Sequence, residues 1–350
     1  MTAIEWDFGS AFDFFISLFV IHHPDRFGLR AAWAAGVRSR LNLEDRQFME
    51  EALTYMPVPL SWVNQLPLKE KNTRAVLDYF AGIPPEKRLI TLFSPTEMPA
   101  EVTNAMARIH HQQRVTAEDL KAFRMILQNR TTPIKTREVK QMAEAFLDPA
   151  AFGERLLSVF NSYFQSFFAE EEERILPALL DGLQFAKKQA KELPLAQLVD
   201  LLSHGVKVAD LDTFQKVILT PSYWSSPLNF FYPPRPEELL FVFGCRQDTQ
   251  NLIPGEYVPD SLVSGLKALA DPTRLRILHY LYEGTTTPSS LARRLRLRAP
   301  TVIHHLNTLR LAGMIKVTIK SSGERCYSLH QDAIDAAFQQ VNAIIKNKKD

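Results

Sequence analysis

Apolar residues recur at three- and four-residue spacing along most of this chain, the mark of amphipathic helices, and alternate with polar ones in only a few stretches. In the N-terminal part the helical pattern runs over Phe12–His22, Leu29–Leu41, Glu44–Tyr55, Thr73–Ala81, Thr96–Gln112, Thr116–Asn129 and Thr136–Phe146. A longer pair follows at Phe152–Phe168 and Glu170–Lys191, with Phe160, Phe164 and Phe168 as one stripe. Proline clusters such as Met56-Pro57-Val58-Pro59 and Ile83-Pro84-Pro85 separate the helices, and no repeat at a period of roughly 20–50 residues is present. After Leu202 the character changes: Phe214–Thr220 and Leu239–Phe243 read as strands around a Pro- and aromatic-rich loop, Pro221–Pro236. A small sheet tucked against the helices is expected.

The last ninety residues carry the sharpest punctuation. Asp260 or Ser261 caps a helix over Leu262–Ala270, and Asp271-Pro272 starts a second, with Asp as N-cap and Pro at the first helical position. Leu275, Leu278, Leu281 and Tyr282 are its expected inner face, and Gly284 its stop. Thr287-Pro288 opens a third helix with Leu291 and Leu295 inward and Arg293, Arg294 and Arg296 outward. Pro300 lies near the start of a fourth, whose buried stripe is Val302, Leu306 and Leu309, leaving Thr301, His304 and Thr308 on the other side. Beyond Gly313 the period becomes two: Ile315, Val317 and Ile319 alternate with Lys316, Thr318 and Lys320, Ser321–Glu324 turns, and Arg325–Leu329 returns. A last helical face carries Ile334, Phe338, Val341 and Ile345, a candidate dimerisation surface. The predicted fold is mainly α: a large helical N-terminal domain with a small β element (1–250), a linker at Asn251–Pro259, and a C-terminal winged helix-turn-helix domain (260–350).

Charge sharpens this picture. Residues 261–350 hold 14 Lys/Arg against 6 Asp/Glu, so the net +2 of the whole chain leaves about −6 for the first 260 residues. Basic charge concentrated around a short helix-turn-helix connection points to a polyanion, and double-stranded DNA is the expected partner. Thr301 and His304 are the candidate base contacts, with Val302 or Ile303 meeting a thymine methyl, Ala299 at the start of the helix and Thr308 further along the same side. Arg294, Arg298 and Arg310 flank the helix, and Lys320 and Arg325 sit near the wing tip, where backbone contacts set affinity.

Residues 261–330 resemble the ArsR family of bacterial winged-helix repressors. The likeness rests on Asp271-Pro272-Thr273-Arg274-Leu275-Arg276-Ile277-Leu278, Ser289-Ser290-Leu291-Ala292, Pro300-Thr301-Val302 with His304-His305-Leu306, Ala312-Gly313-Met314-Ile315, and Gly323-x-Arg325-x-Tyr327. The resemblance implies a homodimer that binds an inverted-repeat operator and leaves it when a signal binds. This chain departs from the family in having Ile303 where a small hydroxylic residue often precedes the His pair, and Arg298 where a Ser often begins the recognition helix. The opening Trp6-Asp7-Phe8-Gly9 and Gly28-Leu29-Arg30-Ala31-Ala32-Trp33 look like the start of the uncharacterised domain that precedes such winged helices in some bacterial regulators.

Metal sensing is not expected. The third helix lacks the Cys-x-Cys of many metal-responsive members, and His330, Asp332 and Asp335 read as solvated surface. Neither His22-His23 nor His110-His111 places two ligands four apart on one helix face, and no nucleophile elbow, Walker loop or dinucleotide fingerprint occurs, so no enzyme activity and no cofactor are expected. Glu170–Glu173 reads as the acidic first turn of a helix. Cys245 and Cys326 fall in different expected domains, so no structural disulfide is expected, the apolar run Phe14–Ile21 is too short for a membrane span, and a cytoplasmic location is expected. With 46% hydrophobic residues and 23 Phe the chain is packed, not disordered. Tyr223, Trp224, Phe230, Phe231 and Tyr232 line either an apolar pocket or a core. The N-terminal domain either binds a small effector, with its signal passing through the linker, or only dimerises or contacts a protein; a DNA-linked enzyme ranks below both. Cys326 is a rival sensor.

Overall fold

The computed structural model describes residues 2–24, 27, 29–93, 98–127, 135–203, 206–208, 211–226, 228–247, 259–319 and 324–346. The chain begins with β1 (Ala3–Trp6) and passes into a helical body: α1 (Ala11–His22), α2 (Ala31–Arg38), α3 (Leu43–Tyr55), α4 (Leu60–Gln65), α5 (Thr73–Ala81), α6 (Pro85–Thr91), α7 (Ala100–Gln112), α8 (Ala117–Leu127), α9 (Thr136–Glu144) and α10 (Pro149–Tyr163). A π-helical turn, Phe164–Phe168, leads without a break into α11 (Ala169–Gln189), and α12 (Leu195–Leu202) follows. Next come β2 (Val206–Val208), β3 (Lys216–Ser222), β4 (Phe230–Arg235) and β5 (Glu238–Gly244). The C-terminal unit holds α13 (Asp260–Leu269), α14 (Pro272–Tyr282), α15 (Pro288–Leu295), α16 (Ala299–Leu311), β6 (Ile315–Ile319), β7 (Arg325–Leu329) and α17 (Gln331–Lys346).

The mainly helical reading holds, and the sheet is larger than the pattern foretold. Its order is β1-β3-β5-β4, with β1, β3 and β5 parallel and β4 antiparallel at the edge. Val217, Leu219, Leu239, Phe241 and Phe243 pack with Leu198, Val199 and Leu202 of α12, whereas Ile218, Leu240 and Val242 join the core of the helical body. Both faces are covered, so β5 reads as an unbroken apolar run. The segment Pro221–Pro236 is not all loop: it contains β4, whose Pro233 and Pro234 are tolerated because an edge strand needs only half its hydrogen bonds. Pro221 lies in β3 beyond the last residue that β1 pairs, so its missing N–H costs no ladder bond.

Glu170, Glu171 and Glu172 do fall in the first turn of α11, but that turn continues a π-helical one. Ala169 N–H already bonds Phe164 within the continuous helix, so there is no open N-terminus for these charges to cap. Glu171 and Glu172 instead tie α11 to its neighbours: Glu171 accepts Trp224 Nε1 (2.8 Å), and Glu172 accepts Thr73 N–H (2.9 Å) and the Ser10 hydroxyl. α10 crosses α6 so closely that a Cβ on Gly153 would stand 1.9 Å from the Pro85 carbonyl oxygen. The Trp6–Gly9 motif gains a local reason. Asp7 receives Lys71 Nζ (2.6 Å) and Asn64 Nδ2 (2.7 Å), and Gly9 leaves room for the Lys71 backbone, 2.2 Å from where a Cβ would be.

In the C-terminal unit Leu262, Ile277, Leu278, Leu281, Leu291, Leu295, Val302, Leu306, Leu309, Ile315, Val317 and Tyr327 make one core. Two expected inward residues of α14 are not in it: Leu275 is 51% and Tyr282 74% exposed, because the inward stripe runs through Ile277, Leu278 and Leu281 instead. The four-residue face expected on α17 also divides. Ile334 and Val341 pack against the core with Ala337 and Ile344, while Phe338 (52%) and Ile345 (76%) face outward. Residues 251–258 of the expected linker lie outside the described residues. A second connection is visible: β2, from within the first 250 residues, pairs in parallel with β6, giving a sheet of order β2-β6-β7.

Candidate nucleic-acid interface

Two helix starts build this surface. Asp271 accepts Arg274 N–H (2.9 Å) at the head of α14, and Thr287 accepts Ser290 N–H (3.3 Å) at the head of α15, each followed by proline at the first helical position. Arg296 ends α15 in the left-handed conformation (φ 56°), where Leu297 N–H closes on Ala292 O (3.0 Å). That three-residue turn sets α16 across α15. Arg298, extended and without a side-chain cap, begins α16, and Pro300 sits in its first turn.

α16 sorts its residues by helical period. Val302, Leu306 and Leu309 are fully buried, while Ala299, Thr301, Ile303 and His304 are exposed. Val302 is therefore corrected out of the groove-facing set, since a side chain with no accessible surface meets no base. Thr308 is half-buried and donates to His304 O (3.1 Å). The adjacent histidines separate: His304 faces out, and His305 turns inward toward Asp271 (3.9 Å), its pKa lowered by burial against the opposing pull of Asp271.

The flanking arginines divide as well. Arg293, Arg296, Arg298 and Arg325 are exposed. Arg294 is drawn back onto α14, where it pairs with Glu283 (2.6 Å) and lies 4.1 Å over the Tyr280 ring. Arg310 is half-buried, and desolvation lowers its pKa. Lys320 and Ser321–Gly323 lie outside the described residues. The wing is fixed at its base by reciprocal Thr286–Tyr327 backbone bonds (2.9 and 2.8 Å) and by His330, whose Nδ1 meets Gly313 O (3.0 Å). Sequence reasoning missed the joint made by Arg274, which donates to Ala268 O (2.6 Å) and Lys267 O (2.8 Å) and closes the end of α13. The signal available was an arginine three residues after an N-cap.

In the N-terminal region the aromatic cluster splits. Tyr223 and Trp224 are core residues at 3% and 0% exposure, and Phe230, Phe231 and Tyr232 lie on the edge strand. Around Trp224 the carboxyl ends of β3 and β5 meet α1 and α11. Asp13 accepts Ser222 Oγ (2.8 Å) and Trp224 N–H (2.7 Å), and Arg174 bridges Glu171 (2.5 Å) while lying 5.0 Å over Tyr223. Trp33 of the second N-terminal motif stacks on Trp224 at 6.1 Å. Burial raises Asp13 to a pKa of about 7, opposed by its hydrogen bonds from Trp224 and Ser222. The histidine pairs make structural contacts: His22 Nδ1 meets Leu18 O of its own helix (2.8 Å), and His110 Nδ1 reaches from α7 to Leu147 O beyond α9 (3.2 Å). Among the described residues no three His, Cys, Asp or Glu side chains stand together as a metal site, and no helix is long and apolar enough to cross a membrane. Burial raises the Cys245 thiol far above its ordinary value, which keeps it protonated.

Comparison with known proteins places a helix-turn-helix domain over residues 269–318. The chain is also similar to the HTH-type transcriptional regulator CmtR of Mycobacterium bovis and to the same-named protein of Mycobacterium tuberculosis, 35% identical to each over 79 residues. That stretch is 23% of this chain and 66% of each relative, so the chain spans just under two thirds of their length.

Proposed function

We propose that this chain is a sequence-specific DNA-binding transcriptional regulator of the ArsR type, a homodimeric repressor whose first 250 residues receive the signal. The observation that carries the reading is α16: Thr301, Ile303 and His304 stand exposed on a helix whose opposite face is locked in the core, with Arg298 at its start and a pinned wing beside it. A recognition helix in the major groove uses residues near its N-terminal end for base contacts. The printed function of the mycobacterial relatives supports the same reading. The exposed Phe338 and Ile345 on α17 supply the dimer surface, and a two-fold dimer reads an inverted repeat with half-sites about 10 bp apart or a multiple of it.

Selection of duplexes from a random pool tests this. A dyad-symmetric consensus is the expected result, and a pool without one would remove the docking model. On the selected duplex, His304→Ala is expected to cost about 1–3 kcal/mol and relax preference at one position. Arg298→Ala and Arg325→Ala should weaken all sequences alike and lower the salt slope by about one each. A loss confined to the cognate duplex would move that arginine into the base-reading set.

A second reading, in which the N-terminal region docks a protein and binds no effector, is favoured by exposed Leu176, Leu180 and Phe185 on α11 and Leu201 on α12. A small molecule that binds only the folded state raises its melting temperature. A screen of metabolites by thermal shift therefore separates the two readings.

A further inference from the structure

The edge of the wing sheet is occupied by the chain's own N-terminal region. β2 pairs with β6 in parallel, Val206 opposite Val317, Lys207 opposite Thr318 and Val208 opposite Ile319. An uncovered β6 would present a row of unpaired N–H and C=O groups, so β2 is a lent strand. Its side chains join two cores: Val206 packs against the winged-helix core, and Val208 against the core between α12 and the large sheet.

The polar groups of β2 show which residue makes the join. Ser203 Oγ accepts Val206 N–H (2.9 Å) and donates to Val206 O (2.8 Å), so the main-chain groups of Val206 point away from the wing. Successive residues of a strand present these groups to opposite sides, so those of Lys207 point toward β6, between Val317 and Ile319. The Lys207 side chain is exposed. Behind Ser203 the connection continues. Asn229 Nδ2 donates to Ser203 O (2.9 Å), and Asn229 Oδ1 accepts the N–H of Gly244 (3.2 Å), the last residue of β5. Gly244 adjoins the end of the sheet where Trp224, Asp13 and Arg174 meet. A continuous set of bonds thus runs from the interior of the N-terminal region to the wing.

We propose that β2 is a clamp on the wing, through which the N-terminal region lowers DNA affinity until it is released. The proposal rests on the DNA-binding reading above and names the route of control. β2 runs parallel to β6 toward the wing tip, ending opposite Ile319. Pairing therefore holds the N-terminal region along the edge of the wing sheet, where its bulk competes with a duplex for that side of the wing. A join of three residue pairs is small enough for a ligand's preference between two states, commonly about 5- to 150-fold, to break it.

The test uses the full chain. Lys207→Pro removes the one N–H of β2 that faces β6 without disturbing a buried side chain, Lys207→Ala removes the charge but keeps the N–H, and Asn229→Ala cuts the connection behind Ser203. Hydrogen exchange at the Ile319 amide and affinity for a selected duplex are measured for each. The expected result is faster exchange and a five- to tenfold rise in affinity for Lys207→Pro, a smaller rise for Asn229→Ala, and neither change for Lys207→Ala. Faster exchange with affinity unchanged or lowered overturns the clamp, and unchanged exchange overturns the join itself. A wild-type chain that selects no duplex overturns the DNA-binding reading and the clamp together, whereas a failure in the variants alone leaves that reading standing.

Discussion

Phe338→Asp combined with Ile345→Asp is expected to turn the protein into a monomer that has lost at least about 100-fold in affinity for an inverted-repeat operator. Both side chains are exposed on α17 at 52% and 76%, while Ile334, Ala337, Val341 and Ile344 hold that helix to the core. The double variant therefore keeps its fold and loses only the apolar seam, which adjoins α13 and its 40% exposed Leu266. Two DNA-binding units joined through such a seam bind a two-part site by effective concentration, which raises avidity by about 10²–10⁴ over one unit. Sedimentation should show one chain per particle, and affinity for a single half-site should match the wild type. A dimer that survives both substitutions would place the two-fold axis elsewhere. Val341→Asp is the contrasting case, since it puts a charge against the core and is expected to unfold the winged helix.

The second large effect concerns pH. Asp13 is completely buried, its Oδ2 has no hydrogen-bond partner among the described residues, and burial raises its pKa from 3.8 to about 7. The folded chain therefore holds a proton on Asp13 that the unfolded chain has already released. Between pH 4 and pH 7 the unfolded state binds fewer protons than the native one, so stability falls as pH rises through this window and levels off above it. Each pKa unit is worth about 1.4 kcal/mol, which puts the loss at no more than about 4 kcal/mol. Asp13→Asn keeps an oxygen for Ser222 Oγ and Trp224 N–H and carries no charge, so it should flatten this part of the profile and gain on the wild type at pH 8. Denaturant midpoints at pH 5 and pH 8 decide the matter. Parallel profiles for the two proteins would mean that Asp13 is ionised in the fold.

The C-terminal unit was legible because its information is local. Asp271-Pro272 and Thr287-Pro288 each cap and start a helix within two residues, and the capping bonds appear where the pairs predict them. The period alone put Val302, Leu306 and Leu309 in the core and Thr301 and His304 outside; it was the search for a thymine-methyl contact that turned Val302 to the groove, and Thr308 is only half-exposed. The tie between Arg294 and Glu283 was hidden, because eleven residues and a turn separate the partners. In the N-terminal region most helices were readable, and of the large sheet its two central strands, β3 and β5, were as well, whereas β1 and β4 were not. A three-residue strand such as Val206–Val208 shows no alternation to recognise, and β1 has its partner at the far end of the helical body. The prolines of β4 looked like a loop because sequence does not say which strand lies at an edge. Glu171 and Glu172 followed a helix-start rule and were recruited by Trp224, Arg174, Thr73 and Ser10 instead, a tertiary demand that local pattern does not carry.

The pairing of Ala3 with Lys216 also bears on how the protein is made. Synthesis at about 5–20 residues per second leaves β1 waiting on the order of 10–40 s for the strand beside it. During that wait α1–α12 can coil and collect, but the parallel sheet has neither its centre nor its far edge. A nascent chain arrested before β3 thus carries its opening strand unpaired, with Ile4 and Trp6 open to proteases and chaperones, and that exposure ends only when the ribosome has delivered Lys216–Ser222.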